Sequence, residues 1–191
     1  MKNVNIVIGR FQPITLGHMK IVEQMYNENN LSTVFCMVSN KKFDSKHPFS
    51  DDIISEELDI IMKNDKRVAG YIWITNADIV KCGEKLHEAG YEPLLWGCGT
   101  DRYDSYKKQA DKYKEKAGLL PEFDVFEVKR TDDDISATKV RNAIKEDDLE
   151  TFNKMMPKGT DKLFEQMKNA LSEIKESFIS LRNLLLEELG R

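Results

Sequence analysis

Arg10, Thr15 and His18, with the glycines Gly9 and Gly17 among them, fall in one short stretch, VNIVIGRFQPITLGH, over residues 4–18. A guanidinium, a hydroxyl and an imidazole beside flexible backbone suit the holding of an anion. A phosphate chain is the natural guest. A second set of the same kind stands near the end of the chain, in DISATKVR, where Ile135, Ser136, Thr138 and Arg141 are closely spaced. Hydroxyls and an arginine at the start of a helical pattern suit the same guest. Both sets suit the binding of an anionic chain by hydroxyls and cationic groups.

The elements that must position these residues are legible around them. Val4, Ile6, Val7 and Ile8 read as a buried strand ending at Gly9, and Met19, Ile21, Val22 and Met25 recur at helical spacing. The stretch is therefore a strand, a glycine turn and a helix start. The first amides of such a helix are unpaired and point at the turn, where they stabilise an anion. Gly17 is expected to leave room for a ligand to approach the backbone. In an open α/β sheet, this turn lies at the carboxyl edge where ligands bind. Ser136 is a natural cap for a helix carrying Val140, Ala143 and Ile144, and so makes a second anion site of the same type.

Between the two sets, apolar runs alternate with helical patterns. Strands are expected at 33–39, 71–75, 93–97 and 123–128, and helices at 16–29, 51–63, 78–89 and 103–117. Ser50 caps the second helix, and Gly90 closes the third. The alternation predicts an α/β fold with a parallel sheet of five strands, counting residues 4–8. Lys41 and Lys42 follow the second strand at its carboxyl end, within reach of a phosphate. Residues 97–102 (Gly-Cys-Gly-Thr-Asp-Arg) follow the fourth strand and read as a second ligand loop. There Gly97 and Asp101 stand as substrate-binding candidates, Asp101 either on ribose hydroxyls or as a helix cap.

Composition narrows the class. The chain has 191 residues, 40% of them apolar, enough for a real core. A net charge of −4 argues against broad nucleic-acid binding but permits a local basic pocket. The three cysteines, Cys36, Cys82 and Cys98, have no metal-ligand spacing and suit a reducing compartment. With no leader expected before the first strand and no apolar run long enough to span a bilayer, a cytoplasmic protein without membrane contact is expected.

GRFQPITLGH resembles the signature of the nucleotidyltransferase superfamily, (H/T)xGH, with Thr15, Leu16, Gly17 and His18 in its four places. The lead-in is most similar to nicotinamide mononucleotide adenylyltransferases of the archaeal and phage-like kind. Ile135, Ser136, Thr138 and Arg141 resemble the superfamily's ISxTxxR motif. The resemblance implies a Rossmann-like sheet of order 3-2-1-4-5 with helices on both faces. It implies transfer of AMP from ATP to nicotinamide mononucleotide, giving NAD and pyrophosphate, with Mg2+ bridging the phosphates and no dedicated protein cage. Arg10, Thr15, His18 and Arg141 would carry catalysis. Gly9, Phe11, Gly17, Ile135, Ser136 and Thr138 would bind ATP. Lys41, Trp96, Gly97 and Asp101 would bind the acceptor, Trp96 (or Trp73) as the partner of a flat pyridine ring. Pantetheine-phosphate adenylyltransferases and glycerol-3-phosphate cytidylyltransferases share both motifs and stand as alternatives. So does a nucleotide-binding scaffold without turnover. The class I aminoacyl-tRNA synthetases share the fold, but this chain is too short and has no KMSKS stretch. An acidic triplet, residues 132–134, precedes the second motif and either faces solvent or helps with metal.

This resemblance covers residues 1–156. Residues 157–191 read as a C-terminal helical extension. Phe164, Met167, Leu171, Ile174, Phe178, Leu181 and Leu185 follow alternating three- and four-residue steps, a heptad seam. Such a helix either docks on its own domain or pairs with a second subunit, and a homo-oligomer is the expectation.

Overall fold

The computed structural model describes residues 1–129 and 135–189, with the side chains of 178 and 181–189 excepted. Five parallel strands form one sheet: β1 (Lys2–Gly9), β2 (Thr33–Val38), β3 (Val68–Ile74), β4 (Tyr91–Gly99) and β5 (Asp124–Val128). Their order is β3-β2-β1-β4-β5, as the family resemblance implied. β1 lies at the centre, with Ile8 opposite Cys36 of β2 and Ile6 opposite Trp96 of β4.

Strand alternation sends side chains to two separate cores. Val4, Ile6 and Ile8 face one layer, made by α3 (Ile79–Glu88) and α4 (Thr100–Tyr113). Val7, Phe35 and Met37 face the other. That layer holds α1 (Leu16–Asn29), α2 (Asp51–Asn64), α5 (Ala137–Lys145), α6 (Leu149–Met155) and the start of α7 (Phe164–Leu189). Helices therefore cover both faces, as a buried parallel sheet requires.

Local chemistry explains the helix bounds. Ser50 accepts the Ile53 N–H at 3.3 Å and caps α2, whose first turn carries Asp51 and Asp52 on the favourable end of the dipole. Asp78 caps α3 by accepting the Val80 N–H at 2.9 Å. Gly90, with φ of 82°, turns the chain from α3 into β4.

Three sequence expectations are corrected here. β3 starts at Val68, earlier than its most apolar residues. α6 is a separate seven-residue helix that the pattern after the second motif did not reveal. Residues 97–99 are not a loop. β4 runs to Gly99 because β5 pairs with it as far as Gly99–Val128, and α4 starts at Thr100.

The C-terminal segment is joined to the main core at its start. Phe164, Met167 and Leu171 are buried with α2, α5 and α6, and Phe164 meets Phe152 edge-on at 5.1 Å. Beyond Leu171 the described side chains of α7 are exposed, apart from those of Ile174 and of the residues named above as excepted. The helix has 26 residues, about 39 Å at the usual rise. Among the described residues, no helix is long and apolar enough to cross a membrane.

Candidate active site

The turn after β1 is held from three sides. The Gln12 side chain pairs with the backbone of Phe49, accepting its N–H at 2.8 Å and donating to its carbonyl at 3.1 Å. The Ile14 N–H donates to the buried carboxyl of Glu57 on α2 at 3.1 Å. Thr15 then caps α1. His18 stands third in the helix, and its Nδ1 accepts the Thr15 N–H at 3.0 Å. That place in a capping box is usually filled by Glu or Gln. With Nδ1 accepting, the neutral ring carries its proton on Nε2. Phe11 meets His18 edge-on at 5.0 Å, and a Cβ at Gly9 would come within 3.1 Å of the Phe11 ring. Gly9 thus admits the ring against the strand end.

The second motif is built the same way. Ser136 caps α5 by accepting the Lys139 N–H at 3.3 Å. Arg141, only 7% exposed, donates from Nη2 to the Thr138 hydroxyl at 3.1 Å and from Nη1 to the Gln12 carbonyl at 2.5 Å. Burial lowers its pKa from the ordinary arginine value, and the charge of Asp44 opposes that effect. The two motifs also touch through backbone, because a Cβ on Gly17 would lie 2.2 Å from the Ile135 carbonyl oxygen. Gly17 therefore makes room for the second motif, where the sequence suggested room for a ligand.

A cleft of about 580 Å³ opens between them, lined by Arg10, Phe11 and His18 on one side and by Ser136, Thr138 and Arg141 on the other. A cavity of about 270 Å³ adjoins it, lined by Ser39, Asn40, Lys41, Lys42 and Thr75. Arg10 and His47 border both spaces. The combined site is rich in cations although the chain is acidic. Two helix N-termini, an imidazole and several guanidinium or ammonium groups surround a volume fit for a polyphosphate. A further cavity of about 670 Å³ lies between α5 and α7, lined by Ile144, Leu171, Ile174 and Ile179 together with lysines and serines.

Other sequence candidates are placed differently. Thr15 is fully buried, and its hydroxyl stands 3.1 Å from His18 Nδ1, so it reaches the cleft only through His18. Trp96 is fully buried and stacked on Tyr106 at 4.0 Å, so its ring is a core element with no free face for an acceptor. Trp73 packs partly buried against the α2 side of the core. Gly97 lies inside β4, where a Cβ would meet Ile21 and Met25 of α1 at 2.6 Å. It permits helix–sheet contact. Asp101 sits in the first turn of α4, beyond the capping residue Gly99, with Arg102 Nε at 3.6 Å. Residues 132–134 lie outside the described residues. Conversely, Gln12, Lys46, His47 and Arg102 line the cleft without having been singled out. Gln12 stood inside the quoted motif, and His47 beside the lysines of the loop after β2.

The model of the cytidylyltransferase-like family matches residues 6–143, from the first strand through most of α5. No curated protein matches. Among solved structures, a Plasmodium falciparum nicotinic acid mononucleotide adenylyltransferase complexed with NaAD is similar at a TM-score of 0.59 and 17% identity, over 89% of this chain and 98% of that one. A bifunctional NMN adenylyltransferase/ADP ribose pyrophosphatase from Francisella tularensis gives 0.60 and 15%, over 98% of this chain and 57% of that one. Thermotoga maritima TmcAL bound with alpha-thio ATP gives 0.56 and 13%, over 88% and 56%. At these identities the likeness speaks for the fold. The family match spans both motifs and more than half of the chain, and with them the chain belongs to the cytidylyltransferase-like family of the nucleotidyltransferase superfamily.

Proposed function

We propose that the protein transfers AMP from ATP to nicotinamide mononucleotide, forming NAD and releasing pyrophosphate. One observation carries the reading: the triphosphate-type cleft between the two motifs adjoins a smaller cationic cavity, and Arg10 stands at their border. The acceptor phosphate would attack the α-phosphorus from the smaller cavity. The new P–O bond forms as the bond to pyrophosphate breaks. Both reactants are anions, so the site's task is to hold them in line and offset charge. His18 would hydrogen-bond the α-phosphate. Ser136, Thr138, Arg141 and the first amides of α5 would hold the leaving pyrophosphate. Arg10 and Lys41 would receive the acceptor, and Phe11 would wall the nucleotide.

Among the described residues, no three carboxylate, imidazole or thiol side chains converge to cage a cation. A Mg2+ held mainly by the substrate's phosphates would, when bound, offset their charge. The choice of nicotinamide mononucleotide rests on the GRFQP lead-in and on structural neighbours described as adenylyltransferases of nicotinamide and nicotinic acid mononucleotides. The family's description favours CTP as a second reading for the nucleotide.

The test is pyrophosphate release with Mg2+ from ATP and CTP, each against nicotinamide mononucleotide, phosphopantetheine and glycerol 3-phosphate. Release with ATP and nicotinamide mononucleotide alone, lost in His18→Ala, supports the reading. Release with another pair reassigns the substrates. Nucleotide binding without release from any pair makes the protein a scaffold. The free and buried cysteines suit a reducing compartment such as the cytoplasm. We also propose a homo-oligomer formed through the part of α7 beyond Leu171, where Ile179 stands 50% exposed on a helix that continues the heptad seam.

A further inference from the structure

The loop between β2 and α2 brings a second imidazole to the site. Asn40 donates its side-chain amide to the His47 carbonyl at 2.8 Å, fixing the backbone. The Asp44 carboxylate accepts the N–H groups of Lys46 and His47 at 2.8 Å each and lies 3.1 Å from His47 Nδ1. Those contacts, the Lys46 N–H first, hold its carboxyl below the ordinary aspartate value. An ionised carboxylate only accepts, so Nδ1 carries a proton and donates. On the other side of the ring, Nε2 stands 3.3 Å from Arg10 Nη1. In the neutral ring Nε2 is therefore the acceptor of an Arg10 N–H. The ring is 27% exposed, and it borders both the motif cleft and the smaller cavity.

We propose that His47, oriented by Asp44, is a contact residue for the phosphate of the acceptor and shares it with Arg10. The proposal rests on the reading that a phosphate-bearing acceptor occupies the smaller cavity. Arg10 and His47 border both spaces, so a phosphate attacking from one into the other passes them. The groups around the ring are Arg10 from the turn after β1, Lys41, Lys42, Lys46 and Asp44 from its own loop, and Arg141 from α5 and Arg102 from α4 across the cleft. Without ligand, Nε2 accepts the Arg10 N–H. A phosphate at the border of the two spaces would draw that N–H to itself, and the ring, held by Asp44, would turn from Arg10 to the phosphate as a protonated donor.

The chain has three histidines, His18, His47 and His87, which makes imidazole nuclear magnetic resonance of the whole labelled protein a direct test. The ligands are ATP, the three acceptors named above and inorganic phosphate. With the correct acceptor, the His47 resonance moves. His87, paired with Glu92 at 3.5 Å on the α3 side of the sheet, stays fixed. His47→Gln raises the KM for the acceptor by about tenfold and leaves that for ATP unchanged. Asp44→Asn, which removes the carboxylate that orients the ring, reduces that movement while His47 is still present. A His47 resonance indifferent to acceptor and phosphate, while that of His18 responds to ATP, overturns the proposal and leaves the functional reading standing. An equal rise in both KM values moves His47 to the triphosphate and overturns it as well. Histidines indifferent to every ligand overturn the functional reading together with the proposal.

Discussion

The α-carbon of Gly17 and the carbonyl of Ile135 are in contact across the site: a Cβ on Gly17 would stand 2.2 Å from that oxygen. The first turn of α1 and the approach to α5 are thereby pressed together, with Arg141 bonded to the Gln12 carbonyl beside them. The cleft is preformed by contacts within the protein, before any nucleotide binds.

Gly17→Ala therefore separates the motifs. Overpacking of this kind costs about 1–3 kcal/mol, and here the obstacle is backbone, which yields less readily than a side chain. Urea denaturation should show the loss of stability. Pyrophosphate release should fall by more than that loss accounts for, since the phosphate-binding ends no longer meet. Full activity in a stably folded Gly17→Ala protein would show that the contact is dispensable.

His18 both caps α1 and faces the cleft, and two substitutions separate these roles. Gln at the same place can reach back to the Thr15 N–H, so His18→Gln keeps the cap and loses the imidazole. Its denaturation midpoint should match the parent, with turnover lower by about 10²–10³. His18→Ala should lose turnover similarly and also about 0.5–2 kcal/mol of stability. If His18→Gln turned over at the parental rate, the cap alone would explain the residue.

The two motifs that line the cleft were legible in the sequence because each is local. A strand end, a cap and a few polar residues at short spacing define Arg10 to His18 and Ser136 to Arg141 without knowledge of the rest. Which side of a strand faces which helix is not local. Trp96 and Gly97 stand at the ligand edge by sequence. Their burial is decided by Tyr106 on α4 and by Ile21 and Met25 on α1. The extent of β4 was equally hidden, because its glycines resemble a loop until β5 is known to pair with them. His47 and Arg102 reach the cleft from separate elements, and their spacing to the motifs carries no signal.

Glu57 gives the fold a pH dependence. Its fully buried carboxyl has a pKa raised well above the ordinary value by burial, partly offset by the Ile14 N–H. The folded chain keeps this proton to a higher pH than the unfolded chain, whose glutamate titrates near about 4.3. The contribution to stability is therefore greatest below that value. It declines as pH rises toward the folded-state pKa and is constant above it. Glu57→Gln removes the titration. Urea denaturation of both proteins at increasing pH should show the variant gaining relative to the parent through that window. A constant difference would show that Glu57 does not titrate there.

The outer part of α7 is the proposed contact between subunits. Ile179→Glu places charge on it beyond Leu171, the last core residue among those described, so the domain should melt as before. Sedimentation should show the parent as an oligomer and the variant as a monomer. A parent that sediments as a monomer would reduce the helix to an appendage.

The hydrogen bond from Arg141 to the Gln12 carbonyl spans 129 residues of sequence. A triphosphate reaching from the first motif to the second would close nearly the same loop. It would act as a removable crosslink, present in proportion to its concentration and absent once pyrophosphate leaves. Each turnover would then tighten and release the chain around its own central sheet.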